Sequence, residues 1–206
     1  MVILGLDMST QKTGYAIFQG KQLIDYGCFE LLSSDEKDWR KRITYMASKI
    51  SELMKQYKID KIYIEDVPPI INNSQTVKTL GALQGIVLGV TSVFGVEVEF
   101  IPVETWKTKT NINLSHSKEY NQAKKALKGN SRALERLKGK VKAYEKKMSI
   151  DLANNKLGTE LLWKSFGSKQ NDDDIADAIN IAASVIFEDY KYTFEDYAHI
   201  IQELNT

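Results

Sequence analysis

Hydrophobic positions divide the chain into segments of two periods. Val2, Ile3, Leu4 and Leu6 form a short apolar run that ends on Asp7, which reads as a buried strand. A Ser/Thr/Gln/Lys turn leads to a second strand, Gly14 to Phe18, and Gly20 marks a hairpin into a third, Gln22 to Leu32. The period then becomes helical: Trp39, Ile43, Met46, Ile50, Leu53 and Tyr57 recur with Lys, Arg and Glu between them. Lys61 to Glu65, "KIYIE", is strand-like again and is stopped by Pro68 and Pro69. Ser74 to Phe94 predicts a helix in which Gly81, Gly85 and Gly89 share one face, so another backbone could approach closely. That face could rest on the sheet or on a second copy of the chain. Val96 to Ile101 reads as a fifth strand, ended by Pro102.

Three strands in succession predict an antiparallel meander, and the helix-strand-helix-strand that follows predicts parallel, right-handed crossovers. The expected architecture is α/β: a mixed sheet covered by helices. The stretch 107–167 is lysine-rich and mostly helical, with breaks expected at Gly129, Gly139 and Gly158. "NDDDIADAINIAASVIF" is the last strong helix. Its stripe is Ile175, Ile179, Ala182 and Ile186, widened by Ala178, Ile181 and Val185, which predicts burial. A polar-aromatic tail over 190–206 has room for one short helix. The expected organisation is a single domain over 1–206, with a basic insertion at about 107–167 and that tail.

Composition narrows the chemistry. Hydrophobic residues are 43% and charged residues 27% of 206, ordinary for a chain with a sizeable core. Cys28 is the only cysteine, so an internal disulfide and a cysteine-rich zinc site are excluded, and a reducing, cytoplasmic setting is expected. His116 and His199 have no metal-ligand spacing and read as surface residues. No signal-peptide pattern opens the chain. Thr79 to Val96 lacks charge but barely reaches spanning length and contains four glycines, so a buried helix is expected there.

The net charge of +1 hides a segregation. Between Lys107 and Lys147 lie 13 bases and three acids, a net of +10, which leaves −9 on the rest. This pattern points to a polyanion-binding element; the plainer alternative is a solvated helical insertion without a partner.

Asp7 ends the first strand as Glu65 ends the fourth. If those strands are parallel neighbours, the two carboxylates sit side by side at the carboxyl edge, where α/β sheets place their sites. Adjacent carboxylates repel, and a divalent cation removes that objection, since hard cations prefer oxygen ligands. Asp174 and Asp177, three apart, share a face near a helix start. Asp172, Asp173 and Asp174 could be simple caps. Asp177, beyond the first turn and between Ala176 and Ala178, is harder to explain that way. Together Asp7, Glu65, Asp174 and Asp177 could bind two Mg²⁺ ions, Asp7 being the expected bridge and Asp173 the substitute if the helix register shifts. Such a pair activates water and stabilises a leaving oxygen in phosphoryl transfer.

The pieces "ILGLDMSTQKTGYAI", "IYIEDV", "NNSQTVKTLGALQG", "PVETWK" and "DDDIADAINIA" together resemble the RuvC-like Holliday-junction resolvases, within the ribonuclease H-like nucleases. They cover about Met1–Lys107 and Asp172–Phe187. The resemblance implies a five-stranded mixed sheet of order 3-2-1-4-5 and an acidic tetrad at Asp7, Glu65, Asp174 and Asp177, some members having histidine at the position of Asp174. It implies Mg²⁺, with Mn²⁺ as substitute, and a homodimer that nicks two strands of a four-way DNA junction to leave 5′-phosphate ends. Lys107 matches the family's phosphate-binding lysine best. Lys109, Lys118, Lys124, Lys125, Lys128, Arg132, Lys138 and Lys140 are further expected DNA contacts. The family often carries an aromatic three residues after the strand-four glutamate; here that position is Pro68, followed by Ile70 and Ile71. Long, divergent members occur in bacteriophages, which fits a phage origin inside a bacterial host cytoplasm.

Three alternatives compete. An actin-like ATPase or sugar kinase also opens with strand, Asp and hydroxyl-rich turn, but needs a second phosphate turn and an adenosine loop that are not visible. A branched-DNA-binding protein without catalysis would be favoured by a broken tetrad, and the tetrad is whole. A related nuclease acting on flaps, forks or RNA has the same residues.

Overall fold

The computed structural model describes residues 1–67 and 73–193. Pro68, Pro69, Ile70 and Ile71, His199 and any helix in the tail beyond 193 lie outside the described residues. The chain divides into two compact units, one of 1–106 with 174–188 and the other of 107–173 with 189–206.

The first unit contains a five-stranded sheet: β1 (Val2–Met8), β2 (Lys12–Gln19), β3 (Gln22–Glu30), β4 (Lys61–Glu65) and β5 (Glu97–Ile101). The order is β3-β2-β1-β4-β5, antiparallel through β3, β2 and β1 and parallel from β1 to β4 and β4 to β5. The expected mixed sheet and its order are therefore observed. Strands β1 and β2 run past the expected ends because Ser9 closes a tight turn. Its hydroxyl accepts from the Lys12 amide at 2.9 Å and donates to the Lys12 carbonyl at 2.7 Å.

Side chains alternate between the two faces. One face carries Leu4, Leu6, Ile17, Ile62 and Ile64, packed with Ile50, Leu53 and Met54 of α1 (Trp39–Tyr57) and Val87 of α2 (Ser74–Phe94). The opposite face carries Ile3, Gly5 and Asp7 of β1 and receives α6 (Asp173–Ile186). Ala176, Ala178, Ile179, Ile181, Ala182 and Ala183 of α6 are buried, whereas Ile175 and Ile186 are only half-buried, so the apolar stripe is rotated from the expected one.

Glycine sets how closely α6 sits. A Cβ at Gly5 would lie 2.3 Å from the Ala178 carbonyl oxygen, and one at Gly14 would lie 1.9 Å from that of Asp174. Neither space admits a side chain, so the helix backbone rests directly on β1 and β2.

Helix α2 corrects an expectation. Leu83, Val87 and Thr91 are its buried residues, and only 17% of its most apolar 18-residue window is buried. Among the described residues it is the one helix long and apolar enough to cross a membrane. It is a surface helix with one seated edge, because three residues at four-residue steps suffice to hold it to α1 and the sheet. Val77, Leu88 and Val93 are exposed, and added Cβ atoms at Gly81, Gly85 and Gly89 would meet nothing within 4 Å. The glycine face looks outward, away from the sheet.

The second unit holds α4 (Lys118–Ala126) and α5 (Ser131–Leu157), with α3 (Val103–Lys109) running into it from β5. Gly129, at φ 97°, separates α4 from α5, and Gly158 caps α5 at φ 66°. Gly139 does not break the chain as expected but lies inside α5. A mid-helix glycine costs about 1 kcal/mol against alanine, less than the buried stripe Leu137, Val141, Tyr144, Met148 and Leu152 returns.

Gly14→Ala should force α6 away from β2. The expected loss is about 1–3 kcal/mol of overpacking strain, read as a lower urea midpoint and a melting temperature lower by about 2–4 °C per kcal/mol in a chain of this size. Unchanged stability would mean that the helix does not sit on Gly14.

Candidate active site

The first carboxylate is placed by strand register. Parallel pairing aligns Leu6 with Ile64, so Asp7 and Glu65 are the next positions along and point to the same face. Asp7 also pairs with Gly14 across the antiparallel ladder. Gly14 is the point where Asp174 of α6 touches the sheet, and Gly5, two residues before Asp7, is where Ala178 touches it. Asp7 thus faces the α6 stretch that carries Asp174 and Asp177. All four carboxylates belong to the first unit and are half-buried.

Two of them have polar partners that no sequence pattern foretold. Lys12 Nζ lies 2.6 Å from Asp174 Oδ2, the side chains being 22% and 28% exposed. Trp106 donates its indole N–H to Glu65 Oε2 at 3.0 Å. The Trp106 side chain gets there because β5 lies beside β4. Glu65 pairs with Ile101, the Asp66 amide donates to the Ile101 carbonyl, and Pro102 then starts α3. For Lys12 the two-residue period gives a cue, since it puts Lys12 on the Gly14 face. Trp106, just ahead of the basic stretch, gave no such cue. A shallow cleft beside Glu65 is lined by Met8, Ile64, Asp66, Leu80, Leu83 and Gln84.

Among the described residues, no group of three or more His, Cys, Asp and Glu side chains is gathered closely enough to hold a metal ion. The four carboxylates share a neighbourhood without forming a closed cluster. Their chemistry fits a hard divalent cation, since every donor is an oxygen on one face of a rigid sheet and helix. Softer chemistry does not fit. Cys28, paired with Gly14 on the same face, has its thiol pushed up to about 12 by burial, so it stays protonated and is a poor ligand or nucleophile.

The other expected residues fall in the second unit or at its start. Lys107 is held by Glu145, Nζ to Oε2 at 3.0 Å, and the Ser115 amide donates to the other Glu145 oxygen at 3.0 Å. Asp173, the substitute ligand, is bound to Lys146, and Asp172 accepts from the Leu162 amide at 2.7 Å. Both act locally in that unit. Lys109, Lys118, Lys124, Lys125, Lys128, Arg132, Lys138 and Lys140 are exposed. Lys138 pairs with Glu135 at 2.6 Å, and Lys124 lies over the Tyr120 ring. His116 is exposed, as expected.

The family model described as crossover junction endodeoxyribonuclease RuvC matches residues 3–148. The chain belongs to the RuvC family. The match runs further into the basic stretch than the motifs do and ends before α6, so Asp174 and Asp177 rest on the geometry above. Crossover junction endodeoxyribonuclease RuvC of Citrifermentans bemidjiense is 33% identical over 87 residues, which are 41% of this chain and 52% of that protein. The chain thus spans about half the length of that relative. The RuvC of Campylobacter hominis is 28% identical over 114 residues, 53% of this chain and 70% of that one. Among solved structures, T. thermophilus RuvC in complex with Holliday junction substrate superposes with a TM-score of 0.57 at 13% identity, covering 97% of this chain and 96% of that one. Thermus thermophilus RuvC by itself gives a TM-score of 0.55 at 14% identity, with the same coverage. At these identities the structural likeness speaks for the fold.

Proposed function

We propose that this RuvC-family protein is a divalent-metal-dependent, structure-selective endonuclease that resolves four-way DNA junctions by paired nicks, in DNA recombination or phage DNA processing. The observation that supports this reading is the placement of Asp7 and Glu65 at neighbouring strand ends, on the sheet face against which α6, the helix of Asp174 and Asp177, is seated at Gly5 and Gly14. These four carboxylates would hold Mg²⁺, two ions per site, with Mn²⁺ able to substitute through the same oxygen preference. Bound there, such ions would supply an activated water for attack on a phosphodiester and charge to stabilise the departing 3′ oxygen, so the ends would be 5′-phosphate and 3′-hydroxyl. The protein's share is to fix four anions in place before substrate arrives and to exclude softer ligands. A bacterial cytoplasm, with its reduced thiols, suits the lone protonated Cys28.

Cleavage of labelled four-way junction, fork, duplex and RNA–DNA hybrid, each with and without Mg²⁺, tests the substrate class. The four-way junction should be cut fastest and only with metal. Asp7→Asn should abolish cutting while leaving junction affinity within about threefold, since one carboxylate contributes little to phosphate binding. Cutting that survives in Asp7→Asn would sink the reading.

A four-way junction has two-fold symmetry and needs two nicks, so a two-fold protein matches it. The outward face of α2 suits the contact, being apolar at Val77, Leu88 and Val93 and small at Gly81, Gly85 and Gly89. Gly85→Glu puts a charge into open space and improves helix propensity, so the single chain should stay folded. Sedimentation should give two chains for the native protein and one for the variant. A native mass of one chain, with and without junction, would overturn the dimer.

The exposed bases of α4 and early α5 would bind phosphates without reading bases, because lysine is a mobile point charge. Each phosphate contact contributes about −0.9 to the log–log salt slope on duplex DNA. Replacing Lys124, Lys125 and Lys128 by Ala should make that slope shallower by up to about 3 and weaken all junction sequences alike. An unchanged slope would make the stretch a structural insertion.

A further inference from the structure

We infer that Trp106 is a positioning residue for Glu65, its indole N–H holding that carboxylate in the orientation that cation binding would use; this rests on the metal-site reading above. Three observations converge. The donor lies 3.0 Å from Glu65 Oε2, a well-formed hydrogen bond. Trp106 is fully buried, so water is not available to take the place of the acceptor. Its backbone is itself anchored, the Trp106 amide donating to the Pro102 carbonyl one turn after β5 ends beside Glu65.

The chemistry of the donor matters. An indole offers a single N–H and no acceptor, so it can hold a carboxylate but cannot compete with it for a cation. A lysine or arginine in the same place would neutralise Glu65 and oppose a divalent ion. An ionised carboxylate has about four lone-pair sites, so accepting one N–H does not by itself exhaust its capacity as a ligand. Hydrogen bonds that orient ligating side chains typically change metal affinity by about 10–100-fold when removed. The ladder to Ile101 fixes the backbone of Glu65, so what a side-chain partner adds is the direction of its long, flexible carboxylate arm.

The test measures metal binding directly. Mn²⁺ alone is titrated calorimetrically into full-length, metal-free protein, with thermal melting recorded in parallel. Trp106→Phe removes the donor and part of the ring. A second protein carries at position 106 the tryptophan analogue benzothienylalanine, with sulfur in place of the indole N–H, which keeps the ring volume and loses only the donor. Both should bind Mn²⁺ about 10–100-fold more weakly than the native chain, and the analogue should melt close to native. Cleavage should recover in both at correspondingly higher Mg²⁺. If the analogue binds Mn²⁺ as the native chain does, Trp106 is a packing residue and the inference falls. Should Trp106→Phe fail to fold, the analogue still decides. If the native chain binds no Mn²⁺, or Asp7→Asn binds it equally well, the metal-site reading itself fails and takes this inference with it.

Discussion

The first unit depends on one steric constraint: α6 must lie against β1 and β2 with no side chain between them at two points. The Asp174 and Ala178 carbonyls occupy the space that side chains at Gly14 and Gly5 would need. This contact fixes both the height of the helix and its rotation. Asp7 lies in the same strand as Gly5 and directly across from Gly14, so the backbone contact that seats α6 also sets where Asp174 and Asp177 stand relative to it. Carboxylates carried on a packed strand and helix keep their positions better than carboxylates on loops. Their mutual repulsion is therefore opposed by packing as well as by local partners.

How much of this was legible in the sequence follows from what each pattern encodes. The apolar run from Val2 to Leu6 and the helical period from Trp39 to Tyr57 gave β1 and α1 nearly to the residue, because burial on both faces of a strand and on one face of a helix leaves distinct hydropathy patterns. Asp7 and Glu65 could be matched only conditionally. Their shared face needs the register that aligns Leu6 with Ile64, and no single strand carries that information. The pairings made by the partners of the site were not legible. Trp106 and Glu65 are 41 positions apart, and Lys12 and Asp174 meet only once α6 is seated. Hydropathy also failed for α2, where an apolar outer face and an apolar buried face look alike in sequence. Gly139 failed for a related reason: a glycine lowers helix propensity locally, whereas five buried side chains spread along α5 decide the outcome.

Charge counting had a similar limit. The +10 over Lys107–Lys147 treats every base as equivalent, yet the second unit uses several of them internally. Lys107 is tied to buried Glu145, which also accepts from the Ser115 amide, so this pair anchors the end of α3 to α5. Lys146 binds Asp173 and Lys147 binds Asp151 at 2.5 Å. The bases on α4 and on the turn into α5, from Lys118 to Arg132, are exposed. A phosphate backbone would meet those first. Removing Lys107 would also strand a buried carboxylate, which costs far more than one lost surface contact. A Lys107 variant would therefore report on folding as well as on DNA.

The same distinction between committed and available charge applies at the carboxylates. Placing four of them on one face is unfavourable unless positive charge is supplied nearby. Lys12 supplies some, but its pair with Asp174 joins two partly exposed side chains, and pairs of that kind are worth about 0–1 kcal/mol. Such a pair lowers the repulsion among the carboxylates while adding little stability of its own. The hydrogen bond from Trp106 to Glu65 behaves differently, since the indole is a neutral donor that orients the carboxylate without cancelling its charge. One side of the site is thus held by an exchangeable charge and the other by a fixed dipole.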